Sequence, residues 1–225
     1  MQPLHNQRFD IYRLIHKGLR AYLTDTLLAI GRMDCSASAD LHAGLTQLHG
    51  LLDFCESHQQ HEYEVSHPAM ERCQPGSAAD MSEHHQQHVD MIAELRGAAQ
   101  QLRASAAAER ELLSAQLYRK LALFVADNLA HMHEEETRNN GVLWNCYSDA
   151  EIQEIHDAIV SSLPPQENAV AMEWMLAALN HQERHALLSG MRREAPLPVF
   201  ESTLAIARQN LPQSEWNKLQ FALAC

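Results

Sequence analysis

The 225-residue chain has little of what strands, turns and disordered segments require. It contains only eight glycines and eight prolines, which excludes collagen-like and low-complexity sequence. Aromatic residues make up 6% of the chain and β-branched residues are few, whereas the good helix formers Ala, Leu, Glu and Gln are plentiful. This composition predicts an all-α protein, and its 46% of hydrophobic residues suffice for a buried core.

Basic residues are scarce as well. The chain carries 17 Lys and Arg against 29 Asp and Glu, which gives a formal net charge of −12. Because binding to a phosphate backbone needs a basic face, we expect no nucleic-acid partner. No apolar run approaches the roughly 20 residues of a membrane span. Residues 1–10 also lack the apolar segment of a secretory signal, so we expect neither membrane insertion nor secretion.

The cysteines are odd in number and form no C-x-x-C pair; they are Cys35, Cys55, Cys73, Cys146 and Cys225. This pattern predicts free thiols in a reducing compartment, the cytoplasm. The signatures G-x-S-x-G, G-x-x-x-x-G-K-[ST] and G-x-G-x-x-G are absent. We therefore expect no nucleophile elbow, no P-loop and no dinucleotide-binding turn.

Apolar residues recur every three to four positions in four long segments, and this spacing predicts helices over 9–33, 41–72, 79–104 and 107–137. Pro68 should end or kink the second helix, and the Arg-Asn-Asn-Gly run at 138–141 should stop the fourth. Four long helices with short connections predict an up-down antiparallel four-helix bundle over residues 1–141. Residues 142–225 are predicted to form an appendage of shorter helices separated by prolines. We find no internal repeat at a fixed period.

Histidine is abundant, with 15 residues, and its spacing indicates a metal site. Three of the long helices carry a pair of ligand residues four positions apart, and the first helix carries His16 among apolar residues. Residues i and i+4 lie on one helix face, so both members of a pair can reach the same point of the interior. The candidate ligands are His16, His58, Glu62, His84, His88, His131 and Glu135.

This set of five imidazoles and two carboxylates exceeds the four ligands of a tetrahedral zinc site. It suits two octahedral metal ions bridged by carboxylates, with about one coordination position left for a small ligand. A ferritin-like site would need E-x-x-H on two helices, but Glu64 and His67 form the only isolated instance of that spacing. The ferritin-like alternative is therefore disfavoured.

The combination of motifs resembles the hemerythrin-like (HHE cation-binding) family over residues 8–140. The matching stretches are His16-Lys-Gly-Leu, His58-Gln-Gln-His-Glu62, His67-Pro-Ala-Met-Glu71, Pro75-Gly76, Glu83-His84 through His88, and His131-Met-His-Glu-Glu-Glu136. The resemblance implies an up-down four-helix bundle around a non-haem di-iron centre with an oxo or hydroxo bridge. Residues 143–219 resemble a C-terminal helical extension of some bacterial members.

The resemblance also implies a distribution of the ligands over the two irons. It places His84, His88 and His131 on one iron and His16 and His58 on the other. The two bridging carboxylates are then Glu62 and Glu135, with Glu136 as the alternative to Glu135, because classical members carry an Asp at its spacing.

The remaining histidines are predicted to play lesser roles. His85, next to His84, is expected at the surface, and His67 at a helix end. His61 and His133 are expected to be solvated or to lie behind the ligands. The pair His181 and His185 in the appendage lacks a partner carboxylate pair, so it indicates a second metal site only weakly. The tryptophans Trp144, Trp174 and Trp216 are expected to anchor the packing of the appendage, with a contact to a partner protein or a second copy as the alternative.

Three functions follow as hypotheses. The first is a di-iron protein that binds O2 or a similar small ligand, in oxygen sensing, storage or delivery or in iron homeostasis. The second is a redox enzyme on the same centre, similar to a peroxidase or a nitric-oxide reductase, which would need an electron donor. The third is an interaction protein in which metal stabilises the bundle and the C-terminal helices bind a partner. We favour the first, a protein that is not an enzyme.

Overall fold

The structure is a computed structural model that describes residues 8–224, and throughout that range the regular elements are helices without any strand. The prediction of an all-α chain is confirmed. No helix in the described range is both long and apolar enough to cross a membrane. The expectations about residues 1–7 and about the thiol of Cys225 lie outside the described residues.

The helical elements follow one another along the chain with short connections. They are α1 (Arg13–Arg32), α2 (Ser38–His61), π1 (Glu62–Ser66), α3 (His67–Cys73), α4 (Ala79–Ala104), α5 (Ala107–Glu134), π2 (Glu135–Asn139), α6 (Asn140–Cys146), α7 (Asp149–Ser162), α8 (Pro165–Ala178), α9 (His181–Glu194), α10 (Leu197–Asn210) and α11 (Gln213–Ala224). The segments π1 and π2 are single π-helical turns of five residues each.

Contacts between residues divide the chain into two units. Within the described range, the first unit contains 8–12 and Tyr22–Ser162, and the second contains Arg13–Ala21 and 163–224. This division differs from the boundary predicted after residue 141, because α6 and α7 belong to the first unit. Their apolar side chains pack with those of α3, which draws both helices into that unit.

The long helices of the first unit pack through apolar stripes. Helix α4 lies against α2 and against α5. The C-terminal part of α1 approaches its neighbours closely at two glycines. A Cβ atom on Gly31 would lie 2.9 Å from Cε2 of Tyr118 in α5, and one on Gly50 in α2 would lie 2.5 Å from the hydroxyl of Tyr22. A larger residue at either glycine would therefore push helices apart.

The two π turns keep the chain helical where the sequence predicts breaks. Pro68 has no N–H and its ring clashes with the carbonyl of an α-helical turn, and the wider turn of π1 just before it accommodates the ring. The predicted stop at 138–141 is wrong, since π2 and α6 continue the helix to Cys146. Buried Asn140 helps to hold this continuation, because its amide donates to the Glu136 carbonyl at 3.0 Å and to Asp10 at 2.7 Å.

A disulfide joins Cys73 and Cys146, the last residues of α3 and α6, whose Cα atoms are 6.0 Å apart. The prediction of free thiols is therefore wrong for these two cysteines. Cys35 and Cys55 are free, and burial raises the pKa of the Cys55 thiol. The expectation of a cytoplasmic location rested on free thiols, and among the described residues only Cys35 and Cys55 are free.

The disulfide lies beside a cluster of apolar side chains at one end of the first unit. Its buried members are Ile11, Tyr12, Ala69, Met70, Ala78, Val142, Leu143 and Ile152. Trp144 packs against this cluster and its indole N–H donates to the Phe9 carbonyl at 2.8 Å, so the prediction of a packing anchor is confirmed there.

The second unit contains the short helices predicted for the appendage, and these helices pack around a core of their own. The buried apolar members are Leu176, Leu188, Phe200, Ala207, Leu211, Trp216 and Leu219, which confirms Trp216 as a packing anchor. Asn180 and Glu183 form a capping box at the start of α9. Arg184 is buried, and its guanidinium donates to the Leu176 carbonyl at 2.7 Å and to Glu215 at 3.0 Å.

Candidate metal centre

Four buried side chains of the first unit bring donor atoms together: Glu62, His85, His131 and Glu135. One nitrogen or oxygen atom of each lies within 4.8 Å of the others. The donor atoms of His58, Glu62 and Glu135 also lie within 4.8 Å of one another. The two glutamates therefore belong to two donor sets, one with His58 and one with His85 and His131. Imidazole and carboxylate donors of this kind can hold a metal ion.

All three histidines turn the same ring nitrogen, Nε2, toward the carboxylates. Nε2 of His131 lies 3.0 Å from Oε1 of Glu135. Glu62 uses its two oxygens differently, since Oε1 lies 3.4 Å from Nε2 of His58 and Oε2 lies 3.4 Å from Nε2 of His85. One carboxylate thus presents one oxygen to each donor set, which is the arrangement that a bridging ligand requires.

The helices that carry these glutamates repeat each other in register. His58 and Glu62 are followed 73 positions later by His131 and Glu135, and the disulfide-bonded cysteines have the same separation. Each glutamate is the first residue of a π turn, and each turn leads into a seven-residue helix that ends at a cysteine. The segments 58–73 and 131–146 therefore share one arrangement of helical turns without forming an internal sequence repeat. Few other residues match between these stretches, so residue identities alone do not reveal it.

The carboxylates control the charge of the buried imidazoles. Burial by itself would lower the pKa of His85, but Glu135 and Glu62 outweigh it and raise the pKa to about 9. The pKa of His131 is also raised, because Glu135 and Glu62 again outweigh the effect of burial. In the metal-free protein these imidazoles therefore balance the two buried carboxylates, and a bound cation would take over that role.

Buried polar atoms without partners surround the two donor sets. Among residues 8–224, neither oxygen of Glu62 accepts a hydrogen bond, and Nδ1 has no partner in His85 or His131. Buried polar atoms are nearly always hydrogen-bonded, so their concentration here fits a site that holds an ion and its water.

The spacing of the nitrogens fits coordination as well. Nε2 of His85 lies 3.0 Å from Nε2 of His131. Two nitrogens that ligate one ion at about 2.1 Å and at a right angle are about 3.0 Å apart. The residues present therefore fit a metal ion in the set that contains both histidines.

The structure changes the assignment on α4. His85 is buried in the donor set, so the expectation of a surface residue is wrong, whereas the side chain of His84 is 37% exposed and its Nδ1 lies 4.0 Å from Glu134. The buried stripe of α4 alternates steps of four and three residues through Met81, His85, His88 and Ile92. That stripe includes His85 and leaves His84 at its edge.

His88 is fully buried but lies outside both donor sets. Its two ring nitrogens already have partners, since Nε2 lies 2.6 Å from Asp127 Oδ2 and Nδ1 lies 2.7 Å from the Gln59 side-chain nitrogen. The Gln59 amide donates to Nδ1, which leaves the proton on Nε2 for Asp127. Burial and the neighbouring His131 lower the pKa of His88 to about 4, so this imidazole is neutral.

Two of the remaining predicted ligands have clear positions. Glu135 is completely buried and belongs to both donor sets, whereas Glu136 belongs to neither. His16 is completely buried on the part of α1 that belongs to the second unit. Its role as a ligand stays a prediction from the sequence.

Sequence reasoning missed two residues beside the glutamates. Tyr12 is buried, and its burial together with the charges of Glu62 and Glu135 raises the pKa of the phenol well above its usual value. The phenol is therefore a proton donor next to the carboxylates. His67 is also buried, and its ring stacks on that of His85 with centroids 5.0 Å apart. The only sequence signal was that Tyr12 lies one helical turn before His16.

The other histidines stay outside the donor sets. His133 is exposed, as predicted for a solvated residue. His61 is half-buried, and its ring nitrogens lie 3.3 Å and 3.4 Å from the hydroxyls of Ser57 and Ser162. Neither His181 nor His185 belongs to a group of three or more converging donors in the described range.

Comparisons with protein-family models, curated proteins and solved structures give no match to this chain. The candidate metal centre is therefore defined by its own residues and their geometry.

Proposed function

We propose that the chain is a hemerythrin-like non-haem di-iron protein that binds dioxygen or a similar small ligand. The observation that carries the proposal is the double use of the carboxylates of Glu62 and Glu135, which belong to a donor set on either side. Two donor sets that share both carboxylates suit a pair of metal ions better than a single ion. The long helices α1, α2, α4 and α5 then form the up-down bundle that holds the pair.

The described residues supply three imidazoles and two carboxylates to this centre, and His16 is the further ligand that the sequence predicts. Neutral imidazole suits iron as it suits zinc, copper and nickel, and the carboxylates supply only two negative charges. When bound, a pair of ferrous ions supplies an open coordination position and electrons to a small ligand. A donor set this poor in negative charge favours holding the ligand over driving further oxidation.

The buried surroundings support the same role. The site is closed to bulk water, since His85, His131 and both glutamates are almost completely buried, so only a small ligand can enter without rearrangement. The protonated phenol of Tyr12 is a donor near the carboxylates. It is suited to a hydrogen bond with a small anionic ligand held at the site.

The test is metal analysis combined with absorption spectroscopy on protein purified without added metal. We expect about two Fe per chain and, when air reaches the reduced protein, a new ligand-to-iron charge-transfer band that disappears on removal of oxygen. Rapid oxidation without such a band would favour the alternative of a redox enzyme that consumes peroxide or nitric oxide. One zinc ion per chain, or no metal, would overturn the proposal.

The second candidate is a metal-stabilised interaction protein that contacts a partner or a second copy through its C-terminal helices. The observation that favours it is the exposure of large apolar side chains in the second unit, 65% for Leu197 and 76% for Phe221. In that case metal removal would lower the stability of the protein, and no ligand-dependent spectrum would appear.

A further inference from the structure

His67 is a buried imidazole whose polar atoms have no partner. It is the first residue of α3, directly after π1, and only 4% of its surface is exposed. Neither ring nitrogen makes a hydrogen bond among the described residues. A buried histidine ordinarily satisfies at least one nitrogen, as His88 does with both of its own. Two unsatisfied nitrogens at one buried ring therefore need a different explanation.

The surroundings of His67 are the members of one donor set. Its ring lies nearly parallel to that of His85, at an interplanar angle of 15°. Burial lowers the pKa of His67, and the charges that act on it come from Glu62, His85, Glu135 and His131. Those four residues are the members of that donor set.

The matched segments 58–73 and 131–146 allow His67 to be compared with the residue at the same position of the other segment. Asn140 occupies the position in α6 that His67 occupies in α3, because each is the first residue after its π turn. The amide nitrogen of Asn140 donates to Asp10 and to the Glu136 carbonyl. His67 has no such structural hydrogen bonds, so its place in the matched segments does not explain why an imidazole is buried there.

We propose that His67 is a further nitrogen ligand of the metal ion held by Glu62, Glu135, His85 and His131. This inference rests on the proposed function. Four protein donors leave an octahedral ion two positions short, and a third imidazole fills one of them. The sequence predicted three imidazoles on this ion, and one of them, His88, is instead bonded to Asp127 and Gln59. His67 would take its place as the third imidazole.

The π turn makes the approach of His67 feasible. One residue more in the turn rotates α3 relative to α2, which brings a side chain five positions after Glu62 toward the same side. In an uninterrupted α-helix a spacing of five residues turns the two side chains about 140° apart. The π turn thus places His67 on the same side of the helix as Glu62, while its ring nitrogens lie outside the group of four that converges within 4.8 Å.

The test uses metal-free full-length protein loaded with Co2+, whose absorption and paramagnetically shifted NMR lines report directly on its ligands. The variants are His67→Ala and His67→Gln, with His133→Ala as the exposed control. We expect the wild type to show one more shifted, exchangeable imidazole N–H signal than either variant. We also expect His67→Ala to release Co2+ to a chelator more than about 100-fold faster than the wild type. Mutation of a residue that only supports a metal ligand already lowers metal affinity by about 10- to 100-fold, and loss of a ligand should cost more.

Rescue separates a ligand from a packing residue. Free imidazole should restore the wild-type Co2+ spectrum in His67→Ala, because it can enter the space of the missing ring and supply the nitrogen. His67→Gln tests the case in which the alanine variant fails to fold. Unchanged spectra and an unchanged number of shifted signals in His67→Gln would overturn the inference while leaving the metal centre intact. If the wild type itself binds no Co2+, both the inference and the proposed function fail.

Discussion

Glu62 and Glu135 begin two π-helical turns that lie 73 positions apart in the chain, and their carboxylates converge within 4.8 Å. Each glutamate follows a histidine by four residues, and each helix ends at a cysteine of the same disulfide. The two segments 58–73 and 131–146 thus bring equivalent side chains to one place. Isolated buried carboxylates at such a distance repel each other, so the pair needs nearby positive charge. Histidines supply that charge in the metal-free protein.

Replacement of either shared carboxylate should disrupt both donor sets. We expect Glu62→Gln and Glu135→Gln each to lower the bound metal from about two ions per chain to one or fewer. An amide cannot bridge two cations, and it also removes a negative charge. Metal analysis after equilibrium dialysis measures the effect. Glu64→Gln and Glu136→Gln are the matched controls, because both residues lie on the same turns and belong to neither donor set. Two ions retained in Glu62→Gln would contradict the bridging role.

The neighbouring histidines of α4 should behave in opposite ways. We expect His85→Ala to lose metal affinity by at least about 100-fold, since it removes a ligand nitrogen. His84→Ala should bind metal as the wild type does, because its side chain is partly exposed and lies outside the donor sets. Competition with a chromophoric chelator gives both affinities. The reverse pattern would support the ligand set implied by the resemblance and contradict the assignment from the structure.

The stability of the metal-free protein should have a maximum near pH 6.5. The folded pKa of His85 is raised from its ordinary value of 6.5 to about 9, so its contribution is complete below pH 6.5 and is lost as pH rises through 9. The expected loss in the free energy of unfolding is of the order of 3 kcal/mol. The pKa of His88 is lowered from 6.5 to about 4, so stability is also lost as pH falls from 6.5 to 4.

Urea unfolding of metal-free protein at pH 5, 6.5 and 9 measures this profile. His85→Gln should remove most of the decline above pH 6.5, leaving the part that comes from the raised pKa of His131, and it should leave the decline below pH 6.5. Bound metal should abolish the alkaline decline in the wild type, because ligating imidazoles must be neutral and metal competes with their protons. A flat profile between pH 6.5 and 9 in the metal-free wild type would show that the carboxylates do not hold His85 protonated.

The disulfide should contribute strongly to stability. It closes a loop of 73 residues, for which chain entropy predicts about 4 kcal/mol in the free energy of unfolding. We expect the double variant Cys73→Ser, Cys146→Ser to lose about this much, and a reductant to produce the same loss in the wild type. Cys35→Ser is the control, since Cys35 is a free, half-buried cysteine. Thiol titration of the unfolded chain should find two more thiols after reduction than before, and an equal count would contradict the pairing.

The sequence predicted the helical class, the long helices and the His-x-x-x-Glu pairs, because these depend on local spacing. It did not predict which histidine of α4 faces inward. The i, i+4 pair His84 and His88 looks like a ligand pair, but the apolar stripe through Met81 and Ile92 turns His85 and His88 inward instead. The hydrogen bonds of His88 with Gln59 and Asp127 join three helical positions far apart in the chain and carry no local signal.

The π turns explain the wrong stop predicted at 138–141 and the unpredicted position of His67. Pro68 and the Arg-Asn-Asn-Gly run at 138–141 have the composition of helix ends, and only tertiary packing keeps the chain helical through them. A π turn shifts the register of every later residue, so periodicity counted through it misplaces His67. The Cys73–Cys146 pair likewise depends on α3 and α6 ending beside each other, which no spacing rule predicts.

The most direct test of the bridging role of Glu62 and Glu135 is anaerobic titration of metal-free protein with Fe2+, followed by Mössbauer and magnetic measurements on the oxidised form. We expect two Fe2+ bound per chain and, after oxidation, two ferric ions that are coupled antiferromagnetically, as in a pair that the two carboxylates hold close enough to share an oxo or hydroxo bridge. Saturation at one ion per chain, or two ions without magnetic coupling, would contradict the claim that these glutamates bridge a metal pair.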